Sequence, residues 1–537
     1  MVSLQRHRFL REWPRDLVTR LKPALQLTGD VVLLVCVFVI LDRWLLRAFG
    51  LPEKHYFRPC IGWETLKHWA GTGPLVLGLV LAAGALLFRR LIQPWTRLQH
   101  GRRLRWFITW TALILAWTFA SYDYNLYVDQ GHYADRFLLL ALVVLIWCRP
   151  VFVFPYLVLL IAVSHQFHHP WGMDSETEYT LLVQVLVVFW AAFLLSALLG
   201  RPYLREGIFV VCCLVASRYW FPGLGKIHIN WVTYGHVENL WVGAYVNGWL
   251  ASWSPERILA GARWLARLDP VIVFLTMVLQ CGALFFLWRR SCLAMFATAW
   301  IGFHLLVFIM SGIFLWKWVL LLPALLALFY FPKGSAPVPI FGRSHFLLSL
   351  LLIGGSMVWA RPARMWWFDT RLYYTFQYEA VSEKGQRYFL YPGFFAPYDR
   401  AFVLGQWEFL SPEPRLVSSW GSTKRRVVAD ALDQPLPPEE VFALERRLGT
   451  TFHHQELGER FERFIRRFFE NLNRRQIKGS WLGPLAAPPH LWTAKTNAKF
   501  LPGDPIRKVL VRHLTTFYDG ASIREIRTEL AREIEIP

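Results

Sequence analysis

The first 360 residues alternate long apolar blocks with short polar stretches, and the pattern changes after them. Blocks at 31–40, 75–88, 181–199, 271–288 and 346–360 are examples. The longer ones exceed what a core strand of a soluble protein uses. A helix rising about 1.5 Å per residue needs roughly twenty mostly apolar residues to cross the hydrocarbon of a bilayer. Read this way, the chain predicts about eleven spans, near 26–47, 73–91, 105–122, 136–148, 151–165, 180–200, 206–222, 270–288, 293–312, 313–332 and 345–360. The fourth and fifth are short, either two crossings or one re-entrant pair. The expectation is therefore an all-α polytopic membrane bundle of about nine to eleven transmembrane helices over residues 1–360.

Residues 361–537 read as a separate, soluble α+β domain. Aromatic and β-branched runs divided by Gly and Pro predict strands at 371–377, 387–391 and 402–409. An acidic first turn, helically spaced apolar residues and an arginine-rich end predict helix over 438–475. Asp519-Gly520 between 509–518 and 523–536 marks a turn, closing either a hairpin or a strand-turn-helix. Within the long 223–268 loop, Trp241, Tyr245, Trp249 and Trp253 suggest an interfacial helix over 240–253, because such rings have an apolar body and a polar tip.

Composition supports the membrane reading: 55% of residues are hydrophobic and only 18% charged. The net charge of +21 gathers in short loops and the N-terminal segment, at Arg89, Arg90, Arg97, Arg102, Arg103, Arg105, Arg289 and Arg290 among others. That is the positive-inside pattern, and it predicts a cytoplasmic N-terminus, an odd number of spans and an extracytoplasmic C-terminal domain in the cell membrane. No basic stripe on a soluble recognition fold accompanies the charge, so nucleic acid is not an expected partner. None of the seven cysteines follows Cys292, so the C-terminal domain is not held by disulfides, and no zinc spacing occurs. The long basic N-terminal stretch, with no small-residue cleavage site after its apolar run, does not read as a signal peptide.

Ionisable groups near apolar spans are costly unless paired, which makes each a candidate for function. Arg218 lies within the seventh span and His304 within the ninth. After the seventh span comes Phe221-Pro222-Gly223-Leu224-Gly225-Lys226-Ile227-His228-Ile229-Asn230-Trp231. Pro222, Gly223 and Gly225 predict a broken helix that leaves Lys226 on irregular backbone, where desolvation would favour the neutral amine and so a base. A snorkelling interfacial lysine is the other reading of the same residues. A second constellation, His165-Gln166-Phe167-His168-His169, is similar to one histidine box of membrane metal oxygenases. Those enzymes use several boxes, so a wet loop is the competing reading and no metal ligand is assigned. No GxSxG, HExxH or phosphate-loop lysine motif is present.

Three segments, in order, resemble the HTTM (horizontally transferred transmembrane) domain, the membrane unit shared by vitamin K-dependent γ-glutamyl carboxylase and many bacterial proteins. They are Gly131-His132-Tyr133 before an apolar helix, Gly223-Leu224-Gly225-Lys226-Ile227 followed by Trp231, and Phe303-His304-Leu305 followed by Ser311-Gly312-Ile313-Phe314. The resemblance covers roughly residues 20–335. It implies a site for a reduced, vitamin K-like quinone near the outer leaflet, with Lys226 as the base and His132 and His304 beside it. Trp231 and Arg218 are placed to bind that cofactor. Two departures stand out: Gly131 replaces the family's asparagine and Gly225 a lysine often found there. The C-terminal domain is also smaller than the carboxylase's.

Three functions follow as expectations. The first is an enzyme of carboxylase, lyase or oxidoreductase type that uses a quinol, with Lys226 as base. The second is a non-catalytic membrane module for assembly, export or binding of an extracytoplasmic peptide or protein. The third is a histidine-box metal-dependent oxygenase.

Overall fold

The computed structural model describes residues 2–48, 50–72, 93, 95–98, 100–122, 124–168, 177–234, 236–331, 338–405, 407–475, 485–489, 491–492, 500 and 503–537. The predicted span at 73–91, with Arg89 and Arg90, lies outside these residues, as does His169. Every other predicted span coincides with a helix, from Val2–Ala48 to the pair Arg343–Gly354 and Ser356–Trp359. Among the described residues, six helical segments are long and apolar enough to cross a membrane: Lys22–Leu45, Pro150–His168, Thr180–Leu199, Leu204–His228, Pro255–Phe285 and Arg290–Ser311. The short fourth and fifth spans are two helices, Tyr133–Cys148 and Val153–His165, packed on each other across an Arg149-Pro150 turn.

Burial follows the distribution of apolar residues around each helix. Leu204–His228 is apolar on all sides over most of its length and sits at the centre, against Thr177–Leu199 and Pro255–Cys281. The outer helices leave apolar side chains uncovered: Phe137 is 75% exposed, Val144 63% and Phe274 65%. Where the chain leaves the Ser356–Trp359 helix, a polar network replaces apolar packing. Arg218 donates to the Gln184 side chain and to the carbonyls of Ala360 and Arg361, while Gln184 and Arg361 both reach Asp42.

Two local expectations are corrected. The helix does not break at Pro222, Gly223 and Gly225; it runs on to His228. The glycines serve close approach instead: a Cβ at Gly223 would lie 2.9 Å from Gln280 Cβ, and one at Gly225 would lie 2.2 Å from the Trp366 ring. The 223–268 region is not an open loop either. Ser254 with Pro255 and Glu256 starts a helix there that continues to Cys281. The short Val237–Val246 helix packs on it, with the Trp241 indole donating to the Ile258 carbonyl at 3.0 Å, so Trp241 ties protein elements together.

In the C-terminal part, strands β1 (Phe368–Asp369), β2 (Leu372–Ser382), β3 (Arg387–Leu390), β4 (Ser422–Thr423), β5 (Ile506–Tyr518) and β6 (Ile523–Glu535) form two antiparallel sheets. Their orders are β1-β4 and β3-β2-β5-β6. Asp519-Gly520 turns a β-hairpin, with the Asp519 carboxylate accepting from the Ala521 and Ser522 amides. The 402–409 stretch is no strand: Asp399–Leu404 is helical and ends at Gly405, whose φ of 57° is left-handed. Tertiary packing overrides the β-branched and aromatic pattern there, since Phe402 and Trp407 bury against Phe461. Helix 438–475 is two helices, Pro438–Leu448 and Gln455–Arg475. The second buries Phe461, Phe464, Ile465, Phe468 and Phe469, one face at helical spacing. That face also reaches the bundle side, with Phe464 4.9 Å from the Tyr127 ring and Asn471 donating to the Leu126 carbonyl.

Candidate functional site

Lys226 lies in the last turn of Leu204–His228, where the helix meets the chain leaving the bundle. Its ammonium nitrogen donates to the Met365 carbonyl at 3.1 Å and lies 5.2 Å from the centre of the Trp231 ring. Trp366, next in the chain to Met365, is edge-on to Phe221 at 5.0 Å and lies against the bare Gly225. Asp369, in β1, feels the Lys226 charge; burial pushes its carboxyl up to about 7, against the opposing pull of the Trp367 indole hydrogen bond, Lys226 and His236. The Trp367 indole donates to Asp369 Oδ1 at 3.0 Å. The arrangement thus sets an amine over one indole ring and within electrostatic reach of a buried carboxyl.

The remaining predicted site residues are placed as follows. Trp231 presents its ring to the Lys226 amine. His304 is buried and shares a 2.7 Å hydrogen bond with the Tyr219 hydroxyl; Tyr219 stacks on Trp300 at 3.7 Å. Tyr219 precedes Lys226 by seven residues, so the two sit on one helix side about 10 Å apart along the axis. Arg218 binds Gln184 and two backbone carbonyls at the exit of the Ser356–Trp359 helix. That is where the chain turns toward Lys226, so Arg218 fixes the path of the segment covering the lysine. His132 has a different set of partners: Nε2 donates to the Tyr56 carbonyl at 3.0 Å and Nδ1 accepts from the Tyr122 hydroxyl at 3.3 Å. His165 and His168 bring their rings to 5.0 Å, and among the described residues no group of three or more His, Cys, Asp or Glu side chains is placed to hold a metal ion.

Met365, Trp366 and Asp369 were not among the residues the sequence singled out. Their signal is faint but present: Trp366-Trp367-Phe368-Asp369 is an aromatic run with one carboxylate, directly after the last apolar block.

Gly225→Leu tests the cover. The new side chain must displace the Trp366 ring, and overpacking of this kind costs about 1–3 kcal/mol. Thermal unfolding in detergent should fall accordingly, and acylation of Lys226, followed by mass spectrometry, should accelerate. An unchanged labelling rate would show that 365–366 does not shield the amine.

Comparison of the chain with family models, with curated proteins and with solved structures found no match.

Proposed function

We propose that this chain is a multi-pass membrane protein, its N-terminus cytoplasmic and residues 361–537 on the opposite side, in which Lys226 serves as a base toward a lipid-soluble hydroquinone. Six helices of sufficient apolar length and the uncovered apolar side chains of the outer helices support the first half. Basic loops support the orientation. The observation that carries the second half is the Lys226 amine over the Trp231 ring and on the Met365 carbonyl at the end of such a helix, with Asp369 in electrostatic reach.

The residues present fit a quinone-type group in two respects: indole faces suit a flat aromatic ring, and an amine suits a phenolic hydroxyl. When bound, a reduced quinone supplies an acidic hydroxyl and two electrons for reaction with oxygen. Lys226 Nζ takes the hydroxyl proton, and Asp369 accepts it in turn or balances the charge. Trp231 faces the ammonium so formed and stabilises it. Trp366 and Met365 limit the access of water.

The full chain, purified in detergent, tests this in two steps. Solvent extraction and mass spectrometry should recover a quinone, and the reduced quinone should be consumed with oxygen uptake. Lys226→Ala should slow that consumption by about 100-fold or more, the scale of a lost general base, with expression and thermal stability retained. Full turnover in the variant sinks the base assignment. A wild-type chain that neither retains a quinone nor consumes its reduced form overturns the quinol reading.

A further inference from the structure

A cleft of about 780 Å³ lies between the end of the helical bundle and the β1-β4 sheet. Leu240 and Ile313 form its bundle side, and Trp367, Phe452 and Leu491 extend the apolar wall. Its other end is cationic. Arg415 lines the cleft yet is only 2% exposed, and among the described residues none of its three guanidinium nitrogens has a hydrogen-bond partner. The rings of Tyr374 and Phe376 lie beside its guanidinium, with ring centres at 5.2 and 5.4 Å. Its backbone is fixed by paired hydrogen bonds with Thr450, 3.0 Å and 2.9 Å, which limits any retreat of the side chain. Lys424 and Arg425, both exposed, stand at the rim.

A guanidinium carries five N–H donors, and leaving them buried without acceptors is expensive unless a ligand supplies them. Glu408 and Asp369 also line the cleft. Burial pushes the Glu408 carboxyl up, against its backbone hydrogen bond and the pull of Arg415, which weakens it as an internal counter-ion, and Glu445, the other acidic group acting on Arg415, is paired with Arg527. The oxygens of a phosphate match an arginine fork bidentately, and a lysine adds a point charge.

We propose that this cleft binds a phosphate-bearing ligand, the phosphate on the N–H edge of Arg415 with Lys424 and Arg425 at its outer side, and any apolar portion along Leu240, Ile313 and Trp367. The cleft shares Asp369 with the Lys226 site, but its test reads binding rather than turnover, so it stands or falls separately from the base assignment.

Isothermal calorimetry on the full chain in a neutral maltoside detergent compares hexyl phosphate, inorganic phosphate and hexanol. Hexyl phosphate should bind at one site per chain and hexanol should not. Inorganic phosphate binding much more weakly than hexyl phosphate would identify a lipid-type source; equal binding would identify a free phosphate. Arg415→Met should weaken binding by about thirtyfold or more, the scale of losing one partner of a buried charge pair. Because Arg415 is buried, the exposed Lys424→Ala provides the second reading, with an expected loss of about two- to fivefold and no change in folding. Absence of heat with both phosphates, hexanol binding as well as hexyl phosphate, or wild-type affinity in both variants would overturn the proposal.

Discussion

Asp135→Ala is expected to destabilise the protein by about 3–5 kcal/mol, since hydrogen bonds to a charged group contribute roughly 1.5–3 kcal/mol each and their buried donors would be orphaned. Asp135 is 1% exposed, in the first turn of the Tyr133–Cys148 helix. Its two oxygens accept from the Ile61 amide at 2.7 Å and the Gly62 amide at 2.8 Å. Those amides begin the Ile61–Thr72 helix and have no acceptor within it. A carboxylate more than seventy residues downstream therefore caps that helix and also faces its positive end. The neighbouring Arg136 performs the opposite service, donating to the carbonyls of Ala120, Gly131 and Tyr122 where the Gly101–Ala120 helix ends. Asp135→Asn retains one acceptor oxygen and should lose about half as much. Denaturant unfolding in detergent, followed by tryptophan fluorescence, gives the numbers. A loss under about 1 kcal/mol for the alanine variant would show that water replaces the carboxylate at this cap.

Trp407→Ala is the second large effect, again about 3–5 kcal/mol. The side chain is fully buried, among Phe461 at 5.0 Å, Phe402 at 5.3 Å and Phe409 at 5.9 Å, and its indole donates to the Tyr378 hydroxyl at 2.7 Å. Truncation removes the ring from the centre of the packing that joins β2 to the Gln455–Arg475 helix. Because Phe464 and Asn471 on that helix also touch Tyr127 and Leu126, the damage should reach the junction with the bundle. Limited proteolysis should then cut within 361–537 many times faster than in wild type. Trp407→Phe keeps most of the apolar contact and loses the hydrogen bond, for an expected loss of about 1–3 kcal/mol. Equal losses in the two variants would contradict this division between packing and hydrogen bonding.

Of the candidate site, the sequence isolates Lys226 and Trp231, because a lone lysine and tryptophan beside a Gly-Pro string at the end of an apolar block stand out locally. It does not show what covers them. Met365, Trp366 and Asp369 lie about 140 residues further on and meet Lys226 only through tertiary packing. Arg415 carries no local signal at all; its character comes from the rings of Tyr374 and Phe376 and from the absence of an acceptor at its nitrogens.

The sequence alone marked most of the apolar helical stretches among the described residues, the amphipathic face of 455–475 and the turn at Asp519-Gly520. Each of these depends on residues within one or two turns of one another, where periodicity and turn chemistry act directly. Tertiary structure decided the rest. It kept the helix intact through Pro222, Gly223 and Gly225, because the absent side chains admit Gln280 and Trp366. It made 399–404 helical and ended that helix at Gly405, where Phe402 and Trp407 bury against Phe461. It drew Arg218 into a network with Asp42, Gln184 and Arg361, because a buried guanidinium must find acceptors wherever the fold supplies them.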